Sequence, residues 1–260
     1  MGQCGVSPGD RARAPITIAA AQSRSVPGDI DVNIERHLQF LHVAADHAVG
    51  LIVFPELSLT GYEPTLAKHL AMTPRDERLR PLDETARRQG ITIVVGAPLA
   101  AGRGEPYLGA IAFTPAGTIA YAKQHLHDGE EAYFSPGDRG CVVAVKDRQV
   151  ALAICADTKQ ATHVRDAATR GADVYAAGVL VTTDGYAGDA DILQGYATAH
   201  RMVVLMANHS HPTGGLTPAG RSAIWDETGE LVVATDGTEE ALVVGAWTTS
   251  GWTGSVVSVS

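Results

Sequence analysis

The sequence predicts an α/β protein in which helices cover a mixed β-sheet. Short apolar runs alternate with helical patterns along most of the 260 residues, and the first hundred follow the order β–α–β–α–β. The 28 glycines and 13 prolines are scattered, as expected of many short strands and turns. No shift in composition divides the chain, so we expect one domain over residues 15–248. Residues 1–14 are expected to form a flexible leader and residues 249–260 a loosely attached tail.

The chain begins with a strand, a helix and a second strand. The apolar run at residues 16–22 is typical of a buried strand. Apolar residues then recur every three or four positions over residues 32–49, which predicts a helix with Asp31 at its start and Gly50 at its end. Residues 51–54 form the next predicted strand.

Two prolines interrupt the helical pattern that follows. Residues 65–89 have helical character, but Pro74 and Pro81 predict either two helices or one kinked helix. Gly90 ends this stretch, and the β-branched run at residues 91–95 predicts a strand.

The remaining elements are two hairpins, two α/β repeats and three final strands. The predicted hairpin strands cover residues 108–114, 118–123, 141–145 and 150–155. Helices at residues 161–170 and 189–200 alternate with strands at residues 173–176 and 202–207. The final predicted strands cover residues 222–225, 231–234 and 241–247.

Composition excludes several classes of function. A formal net charge of −9 with only 5% aromatic residues is unlike that of a nucleic-acid-binding protein. No apolar run approaches the roughly 18 residues that span a bilayer. Three cysteines are too few for a disulfide framework, and an odd number cannot all pair within the chain. They fit a reducing cytoplasm. We therefore expect a cytoplasmic protein that binds neither nucleic acid nor membranes.

Three predicted strands end in residues that are unusual next to a buried strand. Glu56 follows one apolar strand, Lys123 ends a second and Cys155 ends a third. A charged group in such a place is costly unless it is paired or used. Taken singly, each residue has a plain structural explanation, because the cysteine could be a small buried side chain and the lysine could reach solvent.

The segments around these residues resemble those of a known family. The motifs are FPELSLTGY at 54–62, YAKQHL at 121–126, EAYFSPG at 131–137, AICAD at 153–157, RGADV at 170–174 and GRSAIWD at 220–226. In this order and spacing they resemble the nitrilase superfamily of carbon–nitrogen hydrolases, in its amidase-like branch. The resemblance implies a four-layer α-β-β-α sandwich of two sheets faced by helices. It also implies a homodimer or larger homo-oligomer.

The resemblance makes Glu56, Lys123 and Cys155 a catalytic triad, and amide chemistry needs such residues. A cysteine attacks as thiolate, which forms near neutral pH when a nearby cation such as Lys123 lowers the thiol pKa. The lysine also stabilises the oxyanion of the tetrahedral intermediate. Glu56 is expected to move protons as base and then as acid. The implied reaction passes through a thioester and releases ammonia or an amine, and we expect no cofactor.

Further site residues follow from the resemblance. Glu131 matches the second glutamate of many members, which helps to hold the lysine, although the adjacent Glu130 leaves that register open. The backbone N–H of Ala156 is expected to be a second donor to the oxyanion. Tyr62 and Val181 are expected at the substrate pocket, and small residues such as Gly178 are expected to widen it.

Two segments depart from the family pattern and leave the substrate open. Residues 158–163 lack the usual aromatic residue and Pro-Glu pair, and residues 178–181 replace a segment close to Pro-Ser-Ala-Trp. The small-molecule substrate is expected to be an amide or an N-carbamoyl compound. A nitrile hydrolase and a non-catalytic binding protein are the alternatives. Histidines two apart at 125/127 and 209/211 lack a completing cluster of ligands, so we expect no metal site.

Overall fold

The computed structural model describes residues 14–259, which form two β-sheets packed between two layers of helices. Its strands are β1 (Ile16–Gln22), β2 (Leu51–Val53), β3 (Thr92–Leu99), β4 (Tyr107–Thr114), β5 (Gly117–Ala122), β6 (Cys141–Val145), β7 (Arg148–Ile154), β8 (Val174–Val179), β9 (Val203–Asn208), β10 (Ala223–Trp225), β11 (Leu231–Ala234), β12 (Ala241–Thr248) and β13 (Gly251–Ser258). Its helices are α1 (Ile30–Asp46), α2 (Ala67–Leu70), α3 (Arg80–Gln89), α4 (Ala161–Thr169) and α5 (Tyr186–His200). Residues 1–13 of the expected leader lie outside the described residues.

The predicted four-layer α-β-β-α sandwich is confirmed. The first sheet has the strand order β13-β12-β1-β2-β3-β4-β5, and the second has the order β11-β10-β9-β8-β7-β6. Helices α1 and α3 cover the outer face of the first sheet, while α4 and α5 cover that of the second. No helix within residues 14–259 is long and apolar enough to cross a membrane.

The central strands are buried on both faces, which explains their continuous apolar sequences. In β1, Ile18 and Ala20 point into the core between the two sheets, whereas Ala19 and Ala21 pack towards the helices. All four side chains are fully buried. Successive residues of a strand point to opposite faces, so a strand between two layers needs apolar residues at every position.

Helix α1 begins and ends earlier than the sequence predicts. Asp29, not Asp31, caps it, because the Asp29 carboxylate accepts a hydrogen bond from the backbone of Val32 at 3.1 Å. Asp31 lies in the first turn instead. The helix ends at Asp46, and Ala48 then adopts a positive φ of 51° before Gly50 is reached.

The two prolines divide the next helical stretch as expected. Helix α2 is a single turn, and Pro74 lies in the segment between it and α3. Pro81 occupies the first turn of α3, where a helix does not need the missing backbone N–H. Gly90 ends α3 with a φ of 67°, a conformation that glycine adopts without strain.

The structure corrects the expected C-terminal tail. Residues Gly251–Ser258 form β13, which pairs with β12 along its whole length after the two-residue turn Thr249–Ser250. A Cβ at Gly254 would lie 2.4 Å from the carbonyl oxygen of Val232 in β11, so the strand packs closely on the second sheet. Pairing with β12, which its own Gly- and Ser-rich sequence does not reveal, makes this segment a strand.

Two glycines allow the sheets to approach the loop that carries Glu56. A Cβ at Gly96 in β3 would lie 2.2 Å from the backbone nitrogen of Leu57, and one at Gly178 in β8 would lie 2.6 Å from the carbonyl oxygen of Phe54. The small residue at 178 therefore admits a loop and does not widen the substrate pocket, contrary to the expectation.

We predict that Gly96→Ala lowers the free energy of unfolding by about 1–3 kcal/mol, because the added methyl group has only backbone to displace. Urea denaturation measures this change. Gly195→Ala is the control, since Gly195 lies in α5 and, apart from the adjacent backbone of that helix, no atom lies within 4 Å of the added Cβ. That change is expected to be neutral or to stabilise by up to about 1 kcal/mol. Equal effects of the two substitutions would contradict the close-approach explanation.

Candidate active site

The loops that follow β2, β5 and β7 bring the three predicted triad residues together. Lys123 and Cys155 directly follow their strands, and Glu56 lies three residues beyond β2. These strands belong to different sheets, so the site forms only where the sheets pack face to face. Side chains at strand ends are well placed for chemistry because rigid strands hold them.

Lys123 is the centre of this cluster. Its ammonium is fully buried and donates to Glu56 Oε1 at 2.7 Å and to both carboxylate oxygens of Glu130 at 2.8 Å. Burial alone would lower the pKa of Lys123, but the two carboxylates outweigh it and hold the pKa above its usual value. Lys123 is therefore a permanent buried cation.

Glu130, and not Glu131, is the second glutamate of the site. Glu130 is buried, and besides Lys123 it accepts hydrogen bonds from the Tyr62 hydroxyl at 2.8 Å and the backbone of His127 at 2.7 Å. Glu131 is exposed, and within residues 14–259 its carboxylate accepts only from the backbone of Gly129. The short turn that begins at Glu130 points these adjacent side chains in different directions, which a linear motif does not reveal.

Glu56 has one oxygen available to take a proton. Oε1 accepts from Lys123, whereas Oε2 is buried and has no hydrogen-bond partner among residues 14–259. Burial raises the pKa of Glu56 to about 7, although the charge of Lys123 opposes the rise. This carboxyl group can therefore change protonation state near neutral pH.

Cys155 is held in an uncommon backbone conformation at the first position of a 3₁₀ turn. Its φ is 40°, a left-handed value that costs a non-glycine residue energy and occurs often at functional sites. Its thiol donates to the carbonyl oxygen of Leu180 at 3.8 Å. Burial, reinforced by the charge of Glu56, raises the thiol pKa against the effect of Lys123.

Lys123 does lower the pKa of the Cys155 thiol as expected, but burial and the charge of Glu56 outweigh it, so the thiol pKa of the resting site is raised. The carboxylates of Glu56 and Glu130, which pair with Lys123, place negative charge beside the thiol and so oppose the effect of the ammonium on its pKa. A protonated thiol needs a base when it attacks. Glu56 Oε2 has both the free acceptor and the pKa for that role.

Asp157 joins the loops of Lys123 and Cys155. Its Oδ1 accepts from the backbones of Gln124 and His125 at 3.1 and 2.9 Å, and its Oδ2 accepts from the backbone of Ile154 at 3.0 Å and the hydroxyl of Tyr121 at 2.7 Å. No role was predicted for Asp157 from the sequence. The sequence feature that could have indicated one is its place in the AICAD motif, two residues beyond the predicted nucleophile.

Two polar residues at the end of β9 also organise the site, and neither role was predicted from the sequence. Asn208 makes hydrogen bonds of 2.9 Å to the backbone N–H and C=O of Val181. His209 Nε2 lies 2.7 Å from the backbone carbonyl oxygen of Glu56. The sequence marked His209 only as one of a histidine pair. Residues 14–259 hold no cluster of three or more His, Cys, Asp or Glu side chains suited to a metal.

A cavity of about 210 Å³ opens beside Cys155. It is lined by Glu56, Tyr62, His127, Glu130, Cys155, Lys159, Leu180, Val181, Thr182, Gly185, Asp189 and Leu216. Lys159 and Asp189 form an ion pair of 2.6 Å in its wall. The buried Ala156 follows Cys155 but is not among the lining residues. A larger cavity of about 820 Å³ between the edge strands β5 and β6 is lined by none of the triad residues.

We predict that Glu130→Gln lowers kcat/KM by about tenfold or more, because the uncharged amide weakens the placement of Lys123 and Tyr62. Glu131→Gln is the matched control, and its activity is expected to stay close to that of the wild type. Steady-state kinetics of purified variants with unchanged circular dichroism measure both. If kcat/KM fell in Glu131→Gln and not in Glu130→Gln, Glu131 would be the second glutamate, as the sequence predicted.

Comparison with known proteins agrees with this geometry. Residues 17–253 match the carbon-nitrogen hydrolase family. An (R)-stereoselective amidase of Pseudomonas sp. is 30% identical over 180 residues, which is 68% of this chain and 61% of the amidase. The glutamine-dependent NAD(+) synthetase of Thermotoga maritima is 27% identical over 230 residues, or 84% of this chain. The chain spans 39% of the synthetase, so it covers less than two thirds of either relative.

Solved structures share the fold. The NitN amidase of Nesterenkonia sp. AN1 superposes with a TM-score of 0.81 at 26% identity, covering 88% of this chain and 91% of the amidase. A variant of that amidase carries the acetamide moiety of fluoroacetamide on its active-site cysteine, and another is in complex with butyramide. With the family match across nearly its whole length, the chain belongs to the carbon–nitrogen hydrolase family, in the amidase-like branch of the nitrilase superfamily.

Proposed function

We propose that the protein hydrolyses a non-peptide carbon–nitrogen bond of a small amide through a thioester on Cys155. One observation carries the proposal: a buried lysine is paired with two carboxylates, and one of these, Glu56, keeps an unpartnered buried oxygen at the cavity that Cys155 lines. A buried charged cluster of this kind costs stability, so its presence indicates that it serves a function.

In the first half of the reaction, Cys155 attacks the amide carbonyl carbon. Glu56 Oε2 accepts the thiol proton as the Sγ–C bond forms, and the carbonyl oxygen becomes negatively charged. The ammonium of Lys123 and the backbone N–H of Ala156 stabilise this oxyanion. Glu56 then gives its proton to the nitrogen, the C–N bond breaks, and ammonia or an amine leaves.

In the second half, water hydrolyses the thioester. Glu56 is again ionised and accepts a proton from the water, whose oxygen attacks the acyl carbon. The Sγ–C bond breaks, and Cys155 recovers its proton from Glu56 as the carboxylic acid leaves. A single carboxyl group thus serves both halves, which its pKa of about 7 supports.

The cavity supports a small acyl group. Its volume of about 210 Å³ and the apolar side chains of Leu180, Val181 and Leu216 suit a short aliphatic chain more than a large or highly charged one. The butyramide complex of the Nesterenkonia amidase agrees with this choice. Tyr62 and Val181 are the proposed substrate contacts. From the family resemblance we also propose a homodimer or larger homo-oligomer, and from the three cysteines a cytoplasmic location.

Ammonia release from small amides, N-carbamoyl compounds and nitriles tests the reaction class. We expect release from short aliphatic amides, and we expect Cys155→Ala to abolish it without unfolding the protein. Cys141→Ala is the matched control, because Cys141 lies in β6 and does not line the cavity of Cys155. Release from nitriles alone would indicate the alternative hydrolase. Retained turnover in Cys155→Ala would contradict the thioester mechanism.

The pH profile tests the role of Glu56. Only ionised Glu56 accepts the thiol proton, and its pKa is raised, so kcat/KM is expected to fall about tenfold per pH unit below roughly pH 7. Hydrolysis of one amide from pH 5 to pH 9 measures the profile. The Glu131→Gln variant is expected to keep the same midpoint. A profile that stays flat down to pH 5 would remove Glu56 as the base.

A further inference from the structure

We propose that His209 is a positioning residue for the reaction, because its Nε2–H holds the backbone carbonyl of Glu56 and thereby orients the carboxyl group towards Cys155. This inference rests on the proposed hydrolase function. It assigns a role to a histidine that lines no cavity beside the triad and that is no part of the motifs around Glu56, Lys123 and Cys155.

The contact joins the two sheets at the site. His209 directly follows β9 of the second sheet, whereas Glu56 follows β2 of the first, and 153 positions separate them along the chain. Nε2 lies 2.7 Å from the Glu56 carbonyl oxygen. Among residues 14–259 this is the only hydrogen bond to that oxygen.

The backbone of the loop around Glu56 is restricted by its neighbours, which leaves rotation of single peptide groups as its remaining motion. Gly96 and Gly178 press on its backbone from both sheets, and Leu57 is held at a positive φ of 51°. The Glu56 carboxylate itself has one hydrogen bond, to Lys123. A rotation of the peptide between Glu56 and Leu57 would move the carboxylate relative to Cys155, and the His209 contact opposes that rotation.

The protonation of the ring follows from its partners. A carbonyl oxygen only accepts, so Nε2 must carry the hydrogen. Nδ1 is buried and has no hydrogen-bond partner among the described residues. Burial also lowers the pKa of His209 to about 4, which keeps the ring neutral at the pH where Glu56 titrates.

Burying the His209 ring costs free energy that an apolar side chain of similar size would not cost. A fully buried ring with one unsatisfied nitrogen loses hydration that a single hydrogen bond only partly replaces, whereas an apolar side chain would carry no such cost. Local conflicts of this kind are expected where a residue serves function. Among residues 14–259, the one hydrogen-bond partner of the ring is the Glu56 carbonyl, which links the ring to the Glu56 loop.

Three substitutions separate positioning from packing. In Gln the amide nitrogen reaches the place of Nε2, in Asn it reaches only the place of Nδ1, and Leu has no donor. We expect His209→Gln to keep kcat within about threefold, and His209→Asn and His209→Leu to lose about 10- to 100-fold in kcat with KM nearly unchanged. Thermal unfolding of each variant controls for stability.

A second readout does not depend on turnover. Alkylation of Cys155 by iodoacetamide, followed by mass spectrometry of its peptide against pH, reports how well Glu56 accepts the thiol proton. We expect the midpoint to shift in His209→Asn and His209→Leu and to be retained in His209→Gln. If the wild type hydrolyses no amide, the proposed function fails, and alkylation still decides the role of His209.

Two results would overturn the inference. Equal losses in the Gln and Asn variants, with an unshifted alkylation midpoint, would make His209 a packing residue. The second uses only the wild-type protein, in case the variants do not fold: histidine ¹⁵N chemical shifts, assigned through neighbouring residues, are expected to give a neutral ring with the hydrogen on Nε2 from pH 5 to pH 8. The opposite tautomer or a charged ring would exclude the hydrogen bond to Glu56.

Discussion

The pairing of the buried ammonium of Lys123 with two carboxylates holds the rest of the site in place. Removing such a charge from water costs several kcal/mol unless close partners compensate for it. Glu56 and Glu130 supply that compensation from two separate loops, and Asp157 then ties the loop of Lys123 to that of Cys155. The site is therefore a single charged unit whose parts lose their partners if any loop moves.

This unit determines how the chemistry is divided. With Lys123 paired to two carboxylates, its charge does not convert Cys155 to a resting thiolate, and burial keeps the thiol protonated. In the proposed mechanism the ammonium and Glu56 have separate roles, the first in stabilising the oxyanion that develops during the reaction and the second in moving protons. The four-layer architecture also positions Glu56, since the glycines at 96 and 178 let both sheets pack directly against the Glu56 loop.

Sequence periodicity predicted most of the architecture because a strand buried on both faces must be apolar throughout, as β1 is. Prolines and glycines marked breaks such as that between α2 and α3 for equally local reasons. The strand β13 and the cap at Asp29 were missed. The first depends on pairing with β12, and the second depends on which of two nearby carboxylates reaches a backbone N–H.

Local sequence was enough to predict the triad, because Glu56, Lys123 and Cys155 are unusual residues at strand ends within ordered motifs. The choice between Glu130 and Glu131 required the fold, since the direction of a side chain in a short turn depends on what packs against it. Asp157 and His209 likewise gained their roles from partners distant in sequence. The thiol pKa, too, depends on burial and on how charges pair in space, which no linear pattern contains.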